Sequence, residues 1–356
     1  MKRKYDVAAY IWPSYTGSDK RSRIFWEEGF GEWQTVKKAC AAQPLWGYVN
    51  EADAYVMQMQ IDAALDFGIN VFIYDWYWYD DRPFLEDCLN NGFLKAKNNK
   101  KMKFYIMWAN HDATDVWDRR NAGNDSVVWS GKVSLDCLKK IAERWLDRYM
   151  CLENYYKIDN KPVLAIYDLG NFIDGLNGID NARGAMSYLN ELARKKGFDG
   201  IHFQLIKYGE NMQNLSGVDS GKSDYAENKL GFSSSTHYQY VHFNMFEKDY
   251  TDMLTDVKKE WETARKLKIP YFPHVSVGWD NTPRYNKIKQ PQARGNTPES
   301  FKKHLQEAKA FADESGVNLI TINSWNEWTE TSYLEPDTEH GYEYLQAVRD
   351  VFGPAE

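Results

Sequence analysis

The sequence predicts an α/β fold, a (β/α)8 TIM barrel with long insertions in its βα loops. Short apolar runs alternate with segments of helical periodicity along nearly the whole chain, the pattern of a parallel sheet with crossover helices. These runs number eight, the number of strands that closes such a barrel. No Gly-rich GxGxxG turn follows the first run, which disfavours an open doubly wound sheet. Because the chain has no internal repeat and no low-complexity linker, we expect one domain over residues 1–356.

The first half of the chain supplies four predicted strands. The first covers residues 7–11, and a long insertion at residues 12–50 separates it from a helix at residues 53–67. That helix carries its apolar side chains on one stripe, and Gly68 is of the type that commonly ends a helix. The other elements of this half are strands at 70–74, 103–108 and 162–167 and helices at 84–98 and 134–150.

The second half supplies four more predicted strands. The pair Thr297-Pro298 combines an N-cap residue with a proline at the first helical position, so it predicts a helix that runs to residue 315. The segment 208–231 is polar and Gly-rich, and only a short helix is expected there. The remaining elements are strands at 200–206, 232–238, 271–277 and 318–323 and helices at 180–196, 251–266 and 342–351.

The charge balance argues against a polyanionic partner. The chain has 44 Lys and Arg residues against 51 Asp and Glu residues, a net charge of −7, which disfavours nucleic acid or an anionic membrane surface. No apolar run approaches the ~18 residues of a membrane span. The N-terminus passes from MKRK directly into a predicted strand. A cytoplasmic protein and a periplasmic or secreted protein whose signal peptide has been removed both fit this start.

Aromatic residues make up 15% of the chain, and many fall directly after predicted strands together with acids and amides. In a parallel barrel these positions meet at one face, where active sites lie. Flat apolar rings suit the C–H faces of sugars, while acids and amides bond sugar hydroxyls. We therefore expect an oligo- or polysaccharide partner that contacts Tyr10, Trp12, Asp75, Trp76, Trp108, Asn110, Tyr167, His237, Trp279, Asp280, Trp325 and Asn326.

Two of these assignments have structural alternatives of equal weight. Asp75 follows a buried strand, where a carboxylate can simply cap the next loop. His237 falls in a weakly predicted strand, where a structural histidine is at least as expected as a substrate-binding one. The aromatic run at residues 76–79 is expected to divide, with alternate members in the core and in the pocket.

Glu327 and Glu330 are the predicted catalytic residues. Glycoside cleavage needs two carboxyl groups, one that protonates the leaving oxygen and one that assists attack on the anomeric carbon. Residues three apart in a tight turn can point the same way, and crowding raises the pKa of one carboxyl, which keeps a proton available near neutral pH. An isolated ExxE is usually a solvated pair, but this one follows the eighth strand and is interleaved with Trp325, Asn326 and Trp328.

We expect neither a metal nor a cofactor. The four cysteines form no CxxC pair, and no histidines lie at the spacing of a zinc site. His111 and Asp112 are adjacent, so their side chains face apart. The chain contains no P-loop and no GxSxG motif, although a Ser-His-Asp triad leaves no local signature that would exclude it.

Several segments resemble the glycoside hydrolase family 99-like group, the WbsX-type domains, and more distantly the family 99 endo-α-mannosidases. The most specific are GWDNTPR at residues 278–284 and WNEWTE at 325–330, which LEP continues at 334–336. Weaker matches lie at 29–33, 43–48, 74–78 and 107–110, in the same order along the chain. His111 and Asp112 depart from the pattern, since many relatives have Glu and Asn there.

The resemblance implies a (β/α)8 barrel and a metal-free, retaining, endo-acting glycosidase for an α-linked glycan, often an α-mannoside. It assigns to Glu327 the deprotonation of the substrate's 2-hydroxyl, which attacks the anomeric carbon, and to Glu330 the role of general acid and then base. Because the WbsX-type group is also described as glycosyltransferase-like, a transferase of bacterial polysaccharide biosynthesis is an alternative. It would need a DxD motif or a basic phosphate cradle, for which the pairs at 80–81 and 100–101 are poor candidates. A non-catalytic glycan-binding barrel is the third possibility.

Overall fold

The barrel strands follow the predicted order. The computed structural model describes residues 4–124, 126–208, 227–244, 247–286 and 288–355. Its eight barrel strands are β1 Asp6–Ile11, β2 Val71–Tyr79, β3 Lys103–Trp108, β4 Lys161–Ile166, β5 His202–Lys207, β6 Ser234–His237, β7 His274–Ser276 and β8 Leu319–Asn323.

These strands form one parallel sheet that curls into a barrel. Their order is β6-β5-β4-β3-β2-β1-β8-β7, so each strand pairs with its neighbour along the chain and β1 also pairs with β8. The seam between β6 and β7 is joined at Ser235, whose N–H donates to the oxygen of Pro270 and whose oxygen accepts from the N–H of Phe272, both at 2.9 Å. The predicted eight-stranded parallel barrel is therefore confirmed.

Helices surround the barrel. They are α1 Trp33–Ala39, α2 Ala54–Asp66, α3 Leu135–Trp145, α4 Leu169–Gly175, α5 Ile179–Lys195, α6 Tyr250–Arg265, α7 Pro298–Ser315 and α8 Glu343–Phe352. The start of α7 agrees with its sequence signal, since Thr297 and Ser300 cap each other reciprocally. None of the helices described is both long and apolar enough to span a membrane.

The helix predicted at residues 84–98 is wrong. The chain instead forms a short strand at Arg82–Phe84, a π turn at Cys88–Gly92 and 3-10 turns at Phe93–Lys95 and Asn99–Lys101. A Cβ on Gly92 would lie 2.0 Å from the backbone oxygen of Glu51, so this position needs glycine for close backbone packing. Two asparagines and this glycine disfavour a regular helix through the segment.

Strand β2 extends five residues beyond its predicted end. Its last residues pair in antiparallel fashion with Arg82–Phe84 through a tight turn in which Asp80 and Asp81 are left-handed, with φ of 56° and 55°. Other short pairs outside the barrel join Ala113–Thr114 to Val127–Trp129, Lys157–Ile158 to β4, and Asn326–Glu327 to Ser332–Tyr333. The short helix predicted within 208–231 falls mostly outside the described residues, except for a π turn at Glu227–Gly231.

The barrel interior is closed by polar and aromatic side chains. Tyr105 donates its hydroxyl to Oε1 of Gln204 at 3.0 Å, and the hydroxyls of Thr236 and Thr321 are 2.9 Å apart. The hydroxyl of Tyr10 donates to the backbone oxygen of His237 at 3.1 Å. Because these groups satisfy one another, the interior is a packed core, and the space for a ligand lies above it.

Candidate active site

A cavity of about 240 Å³ lies where the βα loops meet, past the carboxyl ends of the strands. Its wall combines aromatic rings, three acids and one guanidinium. The lining residues are Trp12, Asp75, Tyr77, Met107, Ala109, His111, Val116, Trp117, Tyr167, Tyr208, Tyr238, Arg284, Glu327 and Glu330.

The loop after β8 places Glu327 and Glu330 on the same wall. Residues Asn326–Glu327 pair with Ser332–Tyr333, and a single 3-10 turn at Trp328–Glu330 lies between the two short strands. The turn is closed by Thr331, whose φ of 53° is left-handed. The N–H of Glu327 donates to Oγ of Ser324 at 2.7 Å, which fixes the first carboxyl-bearing residue. We refer to residues 327–330 as the acid turn.

Arg284 is the cation of the site. Its Nη1 lies 2.5 Å from Oε1 of Glu330, its Nη2 lies 3.6 Å from Oε1 of Glu327, and its Nε donates to Oε1 of Glu32 at 3.0 Å. The other oxygen of Glu32 accepts from Nε1 of Trp12 at 2.5 Å. One buried guanidinium thus holds three carboxyl groups, and its closest contact in the acid turn is Glu330.

Burial and crowding act on the acids of the cavity. Burial raises the pKa of Glu327 well above its usual range, the charge of Glu330 raises it further, and Arg284 opposes both. Burial also raises the pKa of Asp75, although the hydroxyl of Tyr238 donates to its Oδ2 at 2.9 Å and opposes the shift. The free protein therefore favours a proton on Glu327.

Four charged-group atoms in the cavity are buried and have no hydrogen-bond partner in the described protein. They are Oδ1 of Asp75, Oε2 of Glu327, Oε2 of Glu330 and Nη2 of Arg284. Buried polar atoms of this kind require a partner, so a ligand that brings hydroxyl donors would complement them. Sugars carry such donors along their whole edge.

Aromatic rings form the remaining wall. Trp12, Tyr77 and Trp117 contact one another with ring centroids 5.2 to 5.7 Å apart. The hydroxyl of Tyr167 lies 3.2 Å from Nε2 of His242, and burial lowers the pKa of that histidine to about 3, so its ring stays neutral. These rings are suited to pack against the apolar faces of a sugar.

Five residues predicted from the sequence lie on the cavity wall: Trp12, Asp75, Tyr167, Glu327 and Glu330. The other predicted residues occupy the expected positions past strand ends but do not line the cavity. Strand alternation accounts for Trp76 and Trp108, because only every second side chain of a strand faces inward, and the others are held by packing or hydrogen bonds.

The tryptophans of β2 and β3 face outward. Asp75 and Tyr77 line the cavity, whereas Trp76 between them donates Nε1 to Glu86 at 2.7 Å. Trp108 lies between Met107 and Ala109, which line the cavity, and packs against the outer helices.

Polar residues expected in the pocket are engaged elsewhere. Tyr10 fills the barrel interior, and Asn110 exchanges two hydrogen bonds with the backbone of Asp168 at 2.7 and 2.8 Å. His237 contacts the hydroxyl of Tyr271 at 2.7 Å. The structural alternative for this histidine is the one that the structure favours.

Residues near the acid turn have supporting positions. Asp280 accepts at 2.9 Å from the N–H of Thr282, the first residue of the short turn that carries Arg284. Trp279 is half-buried against the core. Trp325 donates Nε1 to Gln60 at 3.3 Å, and the amide of Asn326 is used by the backbone of Trp12, at 2.7 and 2.9 Å.

Sequence reasoning missed several wall residues. Tyr77 belongs to the aromatic run at 76–79, whose expected division between core and pocket did not specify which members face inward, and Arg284 ends the GWDNTPR segment that already carried a resemblance. Trp117 and Tyr208 reach the cavity from irregular segments, where nothing in the local pattern marks them. Among the residues that the structure describes, no group of three or more His, Cys, Asp or Glu is arranged to hold a metal ion. The metal-free site stays a prediction.

Replacement of Trp108 by Ala is expected to destabilise the fold and to leave ligand affinity nearly unchanged. The ring is buried, with centroids 5.4 Å from Trp145 and 6.1 Å from Phe172, and truncation of a buried Trp typically costs about 3–5 kcal/mol. Urea denaturation measures the loss, with the exposed Tyr55→Ala as a control that should change little. A stable Trp108→Ala protein with weakened glycan binding would instead show that the ring of Trp108 contacts the sugar, as the sequence predicted.

Two solved structures share this fold. A "Glycoside hydrolase-like protein" superposes with a TM-score of 0.66 at 13% identity, covering 99% of this chain and 94% of that chain. The GH99 endo-alpha-mannosidase from Bacteroides thetaiotaomicron superposes with a TM-score of 0.60 at 14% identity, covering 98% and 96%. At these identities the likeness shows the fold alone.

Sequence comparison identifies the family. The uncharacterized protein WxcX of Xanthomonas campestris pv. campestris is 25% identical over 339 residues, which are 92% of this chain and 47% of that protein. The chain thus spans about half the length of the curated relatives it matches. The sequence model described as "Glycosyltransferase WbsX" matches residues 7–348. The resemblance expected from the GWDNTPR and WNEWTE segments is confirmed, and the chain belongs to the WbsX family.

Proposed function

We propose that the chain is a glycoside hydrolase that cleaves an α-linked glycan with Glu327 and Glu330. The carrying observation is the acid turn itself. Two buried carboxyl groups lie one 3-10 turn apart on the wall of an aromatic cavity, and each has an oxygen that accepts no hydrogen bond from the residues that the structure describes. Paired carboxyl groups at the carboxyl end of a barrel are what glycoside hydrolysis requires.

The resemblance to family 99 supplies the reaction scheme. Glu327 takes the proton of the substrate's 2-hydroxyl, whose oxygen attacks the anomeric carbon, while Glu330 protonates the departing glycosidic oxygen. Glu330 then deprotonates a water that attacks the same carbon, and Glu327 returns the proton to the 2-oxygen. Two displacements at one carbon retain its configuration. The resemblance to the family 99 endo-α-mannosidases, carried by the GWDNTPR and WNEWTE segments, is the basis for proposing an endo-acting enzyme for a mannose-type glycan.

In the free protein the proton favours Glu327, so the scheme also requires a proton to move to Glu330 when the substrate binds. A proton is favoured on Glu327, whereas Glu330 holds the close contact with Arg284. For the proposed roles, the proton must therefore reside on Glu330 when the substrate is bound. A 2-hydroxyl that donates to Glu327 favours that exchange, because a hydrogen bond to a carboxylate stabilises its ionised form. The pair then titrates as one unit with two macroscopic pKa values.

The charge of the cavity favours a neutral glycan. Asp75, Glu327 and Glu330 line the cavity, and the one guanidinium among its lining residues, that of Arg284, already contacts Glu32, Glu327 and Glu330. A sugar hydroxyl can donate to these acids, whereas a phosphate or uronate would meet like charge. This arrangement also disfavours the diphosphate of a nucleotide sugar.

A glycosyltransferase is the second candidate, because the family itself is described by that activity. Both candidates use an acid near an anomeric carbon, but a transferase needs a sugar donor with an activated leaving group. The two are separated by whether water or another sugar accepts the glycosyl group. A glycan-binding barrel without activity would bind without releasing product.

One assay distinguishes these functions. The protein is incubated with a panel of α-mannans and bacterial polysaccharides, and in parallel with nucleotide sugars and oligosaccharide acceptors, and all products are resolved by mass. We expect shortened oligosaccharides from the polysaccharide panel, unchanged by EDTA, and none from Glu330→Gln. Extension of the acceptor oligosaccharide by a nucleotide sugar would support the transferase. Glycan binding without any product would support a non-catalytic glycan-binding barrel.

The pH dependence of kcat/KM is expected to be bell-shaped, with its acid limb above the ~4.5 of an ordinary glutamate. Glu327 must lose its proton to act as base, and burial and crowding raise its pKa, so activity rises with pH only through that raised value. The charge of Asp75 contributes to the shift. Asp75→Asn should therefore move the acid limb to lower pH, and a limb that moves upward or stays in place contradicts this reading.

A further inference from the structure

A second group of acids lies directly behind the acid turn. Glu51 precedes α2, Gln60 lies within α2, and Glu335 follows the acid turn, and all three are at most 4% exposed. Gln60 donates Nε2 to Oε1 of Glu335 at 2.7 Å and to Oε1 of Glu51 at 3.3 Å. We call Glu51, Gln60 and Glu335 the support cluster. None of its members lines the cavity.

The support cluster holds the residues on both sides of Glu327. Asn326 donates Nδ2 to the two oxygens of Glu51 at 3.0 and 3.1 Å. Trp328 donates Nε1 to Oε2 of Glu335 at 2.6 Å. Glu51 therefore holds the residue immediately before Glu327, and Glu335 holds the residue immediately after it.

The same contacts reach Trp12, which also lines the cavity. The side chain of Asn326 exchanges hydrogen bonds with the backbone of Trp12 at 2.7 and 2.9 Å. Trp12 in turn donates to Glu32, which binds Arg284. A displacement of Asn326 would thus move both the acid turn and the residues that hold its cation.

The donors to the support cluster are neutral groups. The two acids accept from the amides of Gln60 and Asn326, the indole of Trp328 and the thiol of Cys88, which lies 3.7 Å from Oε2 of Glu51. Burial raises the pKa of Glu51 to about 7 and raises that of Glu335 well above its usual range. Buried acids that lack a compensating cation destabilise a fold, so stability alone does not account for the arrangement.

We propose that Glu51 and Glu335 are positioning residues that orient Glu327 by fixing Asn326 and Trp328. This inference rests on the proposed function, because it assigns the orientation of Glu327 a role in catalysis. The two carboxyls touch no part of the cavity and act only through their neighbours. Misplacement of a catalytic group by about 1 Å can reduce the rate about 100-fold.

The test compares three isosteric variants, Glu51→Gln, Glu335→Gln and Glu86→Gln. Glu86 is a matched control because it is also a mostly buried glutamate that accepts from an indole, that of Trp76 at 2.7 Å, but it lies away from the cavity and pairs with Arg144. With any glycan that the wild type cleaves, Glu51→Gln and Glu335→Gln should lower kcat about 10- to 100-fold with KM little changed. Glu86→Gln should keep the wild-type kcat.

The thermal stability of these variants, compared with wild type at two pH values, also separates Glu51→Gln from Glu86→Gln. The raised pKa of Glu51 means that the folded protein binds a proton that the unfolded chain releases, so wild-type stability falls as pH rises from about 4.5 to about 7. Gln cannot titrate, so the Tm of Glu51→Gln relative to wild type should increase between pH 5 and pH 8. Glu86→Gln loses an ion pair and should melt below the wild type at both pH values.

A third measurement does not depend on activity. In 1H–15N spectra the indole signal of Trp328 and the backbone amide of Trp12 should shift in the cluster variants and stay in place in Glu86→Gln. Wild-type kcat in both cluster variants of an active enzyme, or unshifted signals in both, would overturn the positioning role. If the wild type cleaves no glycan, the proposed function fails separately, while the spectra still decide whether the cluster positions Asn326 and Trp328.

Discussion

Glu330→Gln is expected to lower kcat by about 10²–10⁴-fold and to leave the protein folded. The amide has the shape of the acid but cannot protonate the departing glycosidic oxygen. Its partner Arg284 keeps contacts with Glu32 and Glu327, so the cavity retains its cation. Turnover of an unactivated glycan and the Tm are the two measurements.

Substrates with different leaving groups distinguish the roles of Glu327 and Glu330. An aryl glycoside departs with little protonation, so it should partly restore turnover in Glu330→Gln. It should not restore Glu327→Gln, because there the attack on the anomeric carbon is blocked. A 2-deoxy substrate should bind and resist cleavage. Equal cleavage of the 2-deoxy and parent substrates would make Glu327 a direct nucleophile or the base for water. The assignment of Glu327 and Glu330 as the catalytic pair would then stand, but attack by the 2-hydroxyl would be ruled out.

Arg284→Met should be, with Trp108→Ala, one of the two most destabilising of the variants considered. Its guanidinium is buried and contacts Glu32, Glu327 and Glu330, and removal of one partner from a buried ion pair typically costs about 3–5 kcal/mol. These three carboxyl groups then lose the cationic partner that the described residues provide. Methionine fills a similar volume, so the decrease in unfolding free energy comes from the lost charge more than from lost packing.

The size of this loss should depend on pH. Without Arg284 the pKa of Glu327 in the folded state rises further, so the defect in unfolding free energy should be smaller at pH 5 than at pH 8. Urea denaturation at both pH values measures it. Arg265→Met is the control, because Arg265 pairs with Glu262 at the surface, and such pairs contribute about 0–1 kcal/mol. A defect in Arg284→Met no larger than in this control contradicts the assigned role of the guanidinium.

The barrel could be predicted because its strands are short buried runs with plain boundaries. Strand β3 at Lys103–Trp108 agrees with its predicted range, and the Thr297-Pro298 signal agrees with the start of α7. The segment at 84–98 could not be predicted from apolar spacing, because its shape depends on the close approach of Gly92 to the backbone of Glu51, a contact between distant residues.

The candidate site was only partly predictable for a related reason. A strand end shows that a residue lies near the functional face, but the direction of its side chain depends on register. Trp76 and Trp108 therefore point outward while Asp75 and Tyr77 line the cavity. The clustering of Glu32 and Arg284 with the acid turn joins segments about 250 residues apart, which no local pattern reveals.

Cleavage in H2 18O tests the central claim most directly. The polysaccharides of the panel are digested in labelled water by the wild type and by Glu330→Gln, and the new reducing ends are examined by mass. The account predicts one 18O at each new reducing end from the wild type, because water completes the second displacement, and no labelled product from the variant. Products without the label, or the same labelled products from both proteins, would contradict a hydrolysis carried by Glu327 and Glu330.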